Sequence, residues 1–215
     1  MSTESARHHW ESIYATKQPD EVSWTQPVPK TSLDFLRSFG LDKQARIIDI
    51  GGGDSHLVDF LVGEGYGNVT VLDISEHALN RAKQRLGNLA DRVQWIVADV
   101  LTFRPETTYD VWHDRAAFHF MTTTAQIRAY LALARRSVRA NGYLTIGTFS
   151  ENGPTKCSGL EVRQYSELTL SSQLRRGFAK LRCLTEDHCT PFNTVQNFLF
   201  CSFQRQLEAA NQPER

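Results

Sequence analysis

The chain has 215 residues, of which 40% are hydrophobic, 22% charged and 10% aromatic. This length fits one globular domain and supplies enough apolar side chains for a single core. Lysine plus arginine and aspartate plus glutamate number 24 each, so no net positive charge favours nucleic acid or an anionic membrane as a partner.

The first residues lack the apolar run of a secretory signal, and no stretch approaches the roughly 20 apolar residues that a membrane span requires. The four cysteines, Cys157, Cys183, Cys189 and Cys201, are too sparse for a disulfide-stapled secreted scaffold. We therefore expect a cytoplasmic protein with reduced thiols. Cys183 and Cys201 fall in apolar strands, where we expect them to be small buried hydrophobic residues.

The first 30 residues form a segment distinct from the rest. Trp10 and Tyr14 lie one helical turn apart and predict a short amphipathic helix. Pro27 and Pro29 then keep the following stretch out of any sheet. We expect residues 1–30 to be an N-terminal lid over a ligand site, the alternative being ordinary packing of the aromatic side chains on the core.

From residue 31 onward, short apolar strands alternate with amphipathic helices. The first of these helices opens at Thr31 and Asp34, which resemble a capping box. The predicted strands cover residues 46–50, 69–72, 93–97, 109–112, 143–149, 179–184 and 195–203. The last two have no helical pattern between them and should pair antiparallel.

This alternation predicts an α/β fold: a Rossmann-like, doubly wound, seven-stranded sheet, mainly parallel with an antiparallel last strand. We expect it to occupy one domain over residues 31–205, followed by a tail over residues 206–215.

The strongest motif joins the first predicted strand to the next helix. It reads Ile47-Ile-Asp-Ile-Gly-Gly-Gly-Asp-Ser-His56. Glycines at such a turn let the backbone bend tightly and bring N–H groups against a ligand. Asp73 ends the second strand, where its carboxylate can accept hydrogen bonds from both hydroxyls of a ribose. Together these features predict a site for an adenosine cofactor.

Three features favour S-adenosylmethionine (SAM) over NAD. The dinucleotide fingerprint needs a third glycine where this chain has His56. Asp49 precedes the loop, where a carboxylate would repel a pyrophosphate but suits the ammonium group of a methionine moiety. Asp99 follows the third strand, beside the expected position of an adenine amino group. An NAD-type oxidoreductase and a glycine-rich turn without a ligand are the alternatives.

The segments Ile48-Asp-Ile-Gly-Gly-Gly, Val71-Leu-Asp-Ile-Ser75 and Ala98-Asp99 resemble the motifs of class I SAM-dependent methyltransferases. The resemblance covers residues 30–205 and implies SAM as the cofactor. Gly51 and Gly53 would border its methionine part. The cofactor-binding residues predicted in this way are Asp49, Gly51, Gly53, Asp73, Ile74, Asp99, Val100, His113 and Trp24. One departure is Asp54, since many members carry Gly-x-Gly-x-Gly there.

A polar cluster lies at the end of the fourth predicted strand, where an acceptor should approach the sulfonium; it consists of His113, Asp114, Arg115 and His119. The segment that contains this cluster is similar to the corresponding segments of protein-lysine methyltransferases and of thiopurine-type small-molecule methyltransferases. Asp114 and His119 are the candidate catalytic residues, since a histidine can take a proton near neutral pH. Alternatively, both side chains only fix the loop by hydrogen bonds. Methyl transfer needs no dedicated base, because positioning can supply most of the acceleration.

The acceptor itself is not identified by the sequence. A small molecule is favoured over a protein lysine, because the chain carries no obvious docking domain; a noncatalytic SAM-binding module is the alternative from another class. Trp10, Tyr14 and Trp24 suit a sulfonium or another cation. Cys157 and Cys189 would offer soft thiolates to a metalloid acceptor. No zinc-type ligand spacing is present, so no metal site is expected.

Overall fold

The computed structural model describes residues 2–207 of the chain. The predicted tail falls almost entirely on residues 208–215, outside the described residues. Within 2–207, no helix combines the length and the apolar character needed to cross a membrane.

Seven strands form one sheet, and two short strands form a separate hairpin. The strands are β1 (Arg46–Ile50), β2 (Asn68–Asp73), β3 (Val93–Val97), β4 (Tyr109–Arg115), β5 (Val138–Phe149), β6 (Lys156–Cys157), β7 (Leu160–Glu161), β8 (Phe178–Cys189) and β9 (Val195–Arg205). The helices are α1 (Thr3–Thr16), α2 (Lys30–Ser38), α3 (Leu57–Gly63), α4 (Glu76–Leu86), α5 (Thr124–Ser137) and α6 (Glu167–Leu174).

The sheet order is β3-β2-β1-β4-β5-β9-β8, and β6 pairs with β7 in the hairpin. Strands β1 to β5 pair in parallel, whereas β9 lies antiparallel between β5 and β8. The predicted seven-stranded, mainly parallel sheet with an antiparallel last strand is confirmed. The order reverses between β1 and β4, and ligands of open α/β sheets bind at the carboxyl ends of the strands at such a switch point.

Apolar side chains alternate between the two faces of the sheet, as the pleat requires. Ile48 and Ile50 of β1 pack into a cluster that includes the inner face of α5. Ile47 faces the other way and packs with Leu36 of α2 and Leu61 of α3. Because helices cover both faces of the sheet, a ligand site can form at the carboxyl edge of the strands.

Two local expectations are wrong. Helix α2 begins at Lys30 with Pro29 as its N-cap and has no side-chain cap, so Thr31 lies inside the helix. Proline suits a helix start because its fixed φ and missing N–H cost nothing there. The hydroxyl of Thr31 instead donates to the carboxylate of Glu186 on β8.

The second correction concerns the thiols. Cys183 and Cys201 form a disulfide between β8 and β9 instead of remaining reduced. The two residues are directly opposite in the antiparallel register, with Cα atoms 4.1 Å apart, and this pairing follows from the strand register, which the sequence pattern does not specify. Cys157 and Cys189 are free.

Candidate active site

A cavity of about 520 Å³ opens at the carboxyl ends of β1 to β4. Six of the nine predicted cofactor residues line it: Gly51, Asp73, Ile74, Asp99, Val100 and Trp24. An adjoining cavity of about 60 Å³ is lined by Asp49 and His113, together with Gly51 and Trp24. The remaining residue, Gly53, lies beside Asp73. The fold thus brings all nine residues to one edge of the sheet.

The glycine loop after β1 fits its surroundings only without side chains. Gly51 has a φ of +62°, a conformation that L side chains rarely adopt. A Cβ on Gly51 would lie 2.7 Å from the Cβ of Ala117, and one on Gly52 would lie 2.7 Å from Asp49 Oδ2. Both N–H groups donate to the carbonyl of Leu72, at 2.7 and 3.2 Å. The expectation that bare loop N–H groups face a ligand is therefore wrong for these two glycines.

A buried chain of hydrogen bonds fixes Asp49. His113 Nδ1 lies 2.7 Å from Asp49 Oδ1, and His113 Nε2 lies 2.9 Å from Ser32 Oγ. All three residues are buried. The chain ties β1, β4 and α2 together and holds the carboxylate of Asp49 beside the smaller cavity, within an otherwise apolar layer.

The carboxylate of Asp73 ends β2 inside the larger cavity. Its Oδ1 accepts the N–H of Ser75 at 2.8 Å, which orients the side chain. Burial raises the pKa of Asp73 to about 7. The N–H groups of Ser75 and Gly53 oppose this shift, while the neighbouring carboxylates of Asp54 and Asp49 add to it. Three acidic groups thus meet at this edge, an arrangement that favours a ligand bringing hydroxyl donors and positive charge.

Asp99 sits at the far end of the cavity, after β3. Its Oδ1 accepts the N–H of Leu101 at 2.8 Å, which fixes the turn. Its Oδ2 accepts the hydroxyl of Thr3 at 2.6 Å. Val100 follows and is buried in the cavity wall. One carboxylate oxygen of Asp99 therefore fixes the turn after β3, and the other binds Thr3 at the start of helix α1.

Helix α1 forms a roof over the larger cavity. Trp10 packs edge-on against Trp24 and Phe120, with ring centroids 5.8 and 5.1 Å apart. Glu11 reaches the N-terminus of α4, where its carboxylate accepts the N–H of Glu76 at 2.5 Å and also contacts His77. The roof is thus fixed by an aromatic cluster and by an acidic cap on α4.

The two predicted catalytic side chains do not line either cavity. Asp114 is fully buried: Oδ1 accepts the N–H groups of Ala117 and Phe118, each at 3.0 Å, and Oδ2 accepts the hydroxyl of Tyr130 at 2.5 Å. Burial raises the pKa of Asp114 to about 6. These contacts fix the turn that follows β4.

His119 is also fully buried and stacks on Phe149, with ring centroids 4.6 Å apart. Burial lowers the pKa of His119 to about 3, and the charge of Arg115 adds to the effect. A group with this pKa is a weak proton acceptor, because the efficiency of a general base falls with its basicity.

Arg115 belongs to the polar cluster predicted at the end of the fourth strand, and it lines both cavities, although neither a catalytic nor a cofactor role was predicted for it. The sequence spacing indicates this position, since His113 and Arg115 are two residues apart on β4 and therefore face the same side of the sheet. Asp114 faces the opposite side, toward Tyr130.

The free cysteines occupy different environments. Cys157 is buried and lines the larger cavity, whereas Cys189 is exposed and lines neither cavity. Burial raises the pKa of Cys157 to about 11. Its sulfur is therefore a neutral thiol near neutral pH, not the thiolate that a metalloid would bind.

Part of the chain is similar to known methyltransferases. Residues 47–142 match the model of a methyltransferase domain. The ubiquinone/menaquinone biosynthesis C-methyltransferase of Roseobacter denitrificans is 30% identical over 110 residues, which cover 49% of this chain and 43% of that protein. The malonyl-[acyl-carrier protein] O-methyltransferase of Anoxybacillus flavithermus is 31% identical over 125 residues, or 56% and 47% of the two chains. The chain spans about half the length of these relatives.

A solved structure extends the likeness to the whole fold. The 1,6-didemethyltoxoflavin-N1-methyltransferase of Burkholderia thailandensis, with bound 1,6-didemethyltoxoflavin and S-adenosylhomocysteine, superposes with a TM-score of 0.68 at 20% identity. The match covers 95% of this chain and 85% of that one. The chain as a whole thus has the fold of this methyltransferase, and residues 47–142 match a methyltransferase domain. The predicted resemblance to class I SAM-dependent methyltransferases is confirmed.

The part of the chain that matches the methyltransferase domain contains most of the predicted cofactor residues. Residues 47–142 run from β1 into β5 and contain the glycine loop, Asp73 and Asp99. The roof helix α1, the Cys157 hairpin and strands β8 and β9 lie outside the match. The match therefore includes Arg115 and Phe120 of the cavity wall but not the roof helix or Cys157.

Proposed function

We propose that this protein is a SAM-dependent methyltransferase acting on a small-molecule acceptor. One observation carries the proposal: a single roofed cavity joins the acidic residues Asp73 and Asp99 to a wall formed by Phe120, Arg115 and Cys157. One end has the groups that suit an adenosine, and the other end has room for a second molecule.

The residues at the first end fit the cofactor. Burial and two neighbouring carboxylates raise the pKa of Asp73, and the ammonium and sulfonium of SAM would supply positive charge there. In this arrangement Asp73 and Ile74 hold the ribose of SAM. Asp99 and Val100 hold its adenine. Asp49 faces the ammonium group of SAM, next to Gly51 and Gly53. His113 orients the carboxylate of Asp49. Trp24 lines the cavity as well. When bound, SAM supplies an activated methyl group.

The contribution of the chain to the reaction is to position the reactants and exclude water. Of the titratable groups near the acceptor end, Asp114 is engaged by three donors and Glu161 is paired with Lys156. His119 has a pKa of about 3, and Cys157 has one of about 11. None of these is suited to remove a proton near neutral pH. We therefore assign no general base and propose an acceptor atom that is already nucleophilic.

A small molecule fits this site better than a protein lysine. Helix α1 covers part of the cavity through contacts of Thr3, Trp10 and Glu11. The cavity of about 520 Å³ must hold the cofactor as well, so the space left beside it suits a small acceptor.

Calorimetry and methyl labelling test the proposal. S-adenosylhomocysteine should bind and NAD should not. Asp73→Ala should weaken S-adenosylhomocysteine binding by about 1.5–3 kcal/mol, because a charge-assisted contact to the ribose is lost. Asp91→Ala, at an exposed acidic residue away from the cavity, is the matched control and should leave binding unchanged.

Methyl-labelled SAM should then transfer label to the small-molecule fraction of a cell extract. Binding of NAD without S-adenosylhomocysteine would overturn the methyltransferase proposal. Label confined to the protein fraction would overturn the small-molecule assignment and favour a protein lysine.

A further inference from the structure

The guanidinium of Arg115 is only partly satisfied. Its Nη1 donates to the carbonyl of Trp24 at 2.9 Å. Its Nε and Nη2 are buried and have no hydrogen-bond partner among residues 2–207. Arg115 forms no ion pair within that part of the chain. Buried donors without partners are uncommon, and each calls for an explanation.

The two unpartnered nitrogens, Nε and Nη2, form one edge of the guanidinium. In other arginines of this protein the same edge binds a carboxylate. Arg85 holds Asp59 through Nε and Nη2, with N–O distances of 2.9 and 2.8 Å. Arg37 uses the same two nitrogens, but both donate to the single oxygen Oε1 of Glu64, at 3.1 and 2.5 Å. This side-on geometry presents two parallel N–H donors, which match the two oxygens of a carboxylate. Arg115 has the same edge without the carboxylate.

The nearby carboxylates of the chain have other partners. Glu186 accepts hydrogen bonds from Thr31 and Gln26, and Asp49 is bonded to His113. Burial lowers the pKa of Arg115 to about 10, so the side chain remains a cation at neutral pH. The charges of Glu186 and Asp49 favour this cation, but neither carboxylate forms an ion pair with it. A buried cation without a carboxylate in contact is costly, which favours an anion in the occupied site.

The direction of the side chain separates this anion from the cofactor. The guanidinium of Arg115 lies 4.9 Å from the ring centroid of Phe198, on β9. Strand β9 is two places beyond β4 in the sheet, on the side away from β1, β2 and β3. The acidic residues that suit an adenosine lie on those strands or, for Asp99, directly after β3, so Arg115 points toward the acceptor end.

We propose that Arg115 binds an anionic group of the methyl acceptor, a carboxylate or a comparable oxyanion, so that the acceptor is an acidic small molecule. This inference rests on the proposed function. The Nε–Nη2 edge would hold the anion while the Trp24 carbonyl keeps the third nitrogen in place, and Phe198 would support the guanidinium from one face.

The first test measures binding with matched probes. Benzoate and benzamide, which differ in charge but hardly in shape, are titrated into protein saturated with S-adenosylhomocysteine. Wild type should bind benzoate at least tenfold more tightly than benzamide, and Arg115→Gln should lose that preference. Arg115→Lys, which keeps the charge but not the side-on edge, should retain part of it. Arg182→Gln is the matched control, because Arg182 is exposed, lies 4.1 Å from the Phe35 ring and lines neither cavity.

The outcomes separate this inference from the proposed function. If S-adenosylhomocysteine fails to bind wild type, the proposed function fails. If it binds wild type but loses tenfold or more in Arg115→Gln, the anion is the cofactor's own carboxylate and the inference is overturned. Equal binding of benzoate and benzamide by wild type also overturns it. In extracts, the labelled product should be retained by an anion exchanger; a neutral or cationic product would overturn the assignment.

Discussion

Tyr14 of the roof helix and Gly53 of the glycine loop meet so closely that no side chain fits between them. A Cβ on Gly53 would lie 2.8 Å from the Tyr14 hydroxyl oxygen and 3.3 Å from Asp73 Oδ2. Burial raises the pKa of Tyr14 well above its ordinary value, and the charges of Asp73 and Asp54 contribute. The roof therefore packs directly on the residues that we assign to the cofactor, and closure of α1 and binding of the cofactor should be coupled.

Gly53→Ala should disturb both the roof and the cofactor site. Gly53 has a φ of +50°, and Gly40 has a φ of +59° with nothing within 4 Å of the point that a Cβ would occupy. Both alanine variants carry similar backbone strain, about 1 kcal/mol. Only Gly53→Ala adds a clash with Tyr14, so it should weaken S-adenosylhomocysteine binding at least tenfold in calorimetry. Equal affinities in the two variants would contradict the coupling.

Glu11→Gln should release the roof without unfolding the domain. Burial raises the pKa of Glu11, but hydrogen bonds from His77 and Glu76 offset this and leave the pKa below the ordinary value. The carboxylate therefore stabilises the closed roof at neutral pH, and this contribution is lost as the pH falls through the lowered pKa. Limited proteolysis near residues 1–28 should be about tenfold faster in the variant.

Glu4→Gln is the matched control for the roof, because Glu4 is an exposed acidic residue in the first turn of the same helix. It should cleave at the wild-type rate. S-adenosylhomocysteine should protect wild type more than Glu11→Gln. If cleavage of all three proteins were the same with and without ligand, the N-terminal segment would be simply packed on the core.

The titration of Asp73 should make cofactor affinity depend on pH. With a pKa of about 7, the free carboxyl is half protonated near neutral pH and poorly suited to accept ribose hydroxyls. Affinity for S-adenosylhomocysteine should rise as the pH increases from 6 to 8 and then level off. Asp73→Asn should bind weakly with no such dependence, and a flat wild-type profile would contradict the assignment.

The same shift predicts the opposite trend for stability. A carboxyl whose pKa is higher in the folded state stabilises the fold below its unfolded pKa and loses that contribution as the pH rises through about 7. At pH 8, Asp73→Asn should therefore raise the free energy of unfolding of the ligand-free protein by roughly 1–4 kcal/mol. Urea unfolding at pH 5 and pH 8 would show whether the gain is larger at the higher pH.

The cofactor half of the site could be predicted because its signals are local. Glycines at a strand end, with acidic residues ending the next two strands, place Gly51, Asp73 and Asp99 at one edge of any parallel sheet. The β–α alternation likewise predicts the sheet, since helices on both faces require it. These arguments need only the order of residues along the chain.

Contacts between distant segments could not be predicted in this way. The Cys183–Cys201 disulfide depends on the register of β8 and β9, which no local pattern specifies. The Asp49–His113–Ser32 chain depends on where α2 crosses the sheet. The hydrogen-bond partners of Asp114 could not be predicted for the same reason, because Tyr130 lies on a later helix.

Asp114→Ala should destabilise the protein strongly. Removal of its carboxylate leaves the buried N–H groups of Ala117 and Phe118 and the hydroxyl of Tyr130 without their acceptor. The free energy of unfolding should fall by roughly 3–5 kcal/mol. Tyr130→Phe removes only one of these donors and leaves Trp112 Nε1, 2.9 Å from the hydroxyl, without a partner, so it should cost roughly 1–3 kcal/mol.

The two roles considered for Asp114 are separated by measuring stability and turnover in the same variant. A positioning residue should lower the unfolding midpoint in urea, while the folded fraction still binds S-adenosylhomocysteine, because Asp114 lines neither cavity. Tyr130→Phe should then reproduce part of any loss in turnover, since it loosens the same turn without touching the carboxylate. A variant at position 114 with wild-type stability and abolished methyl transfer would instead identify Asp114 as a catalytic residue, and the burial of its carboxylate would have to be relieved when the acceptor binds.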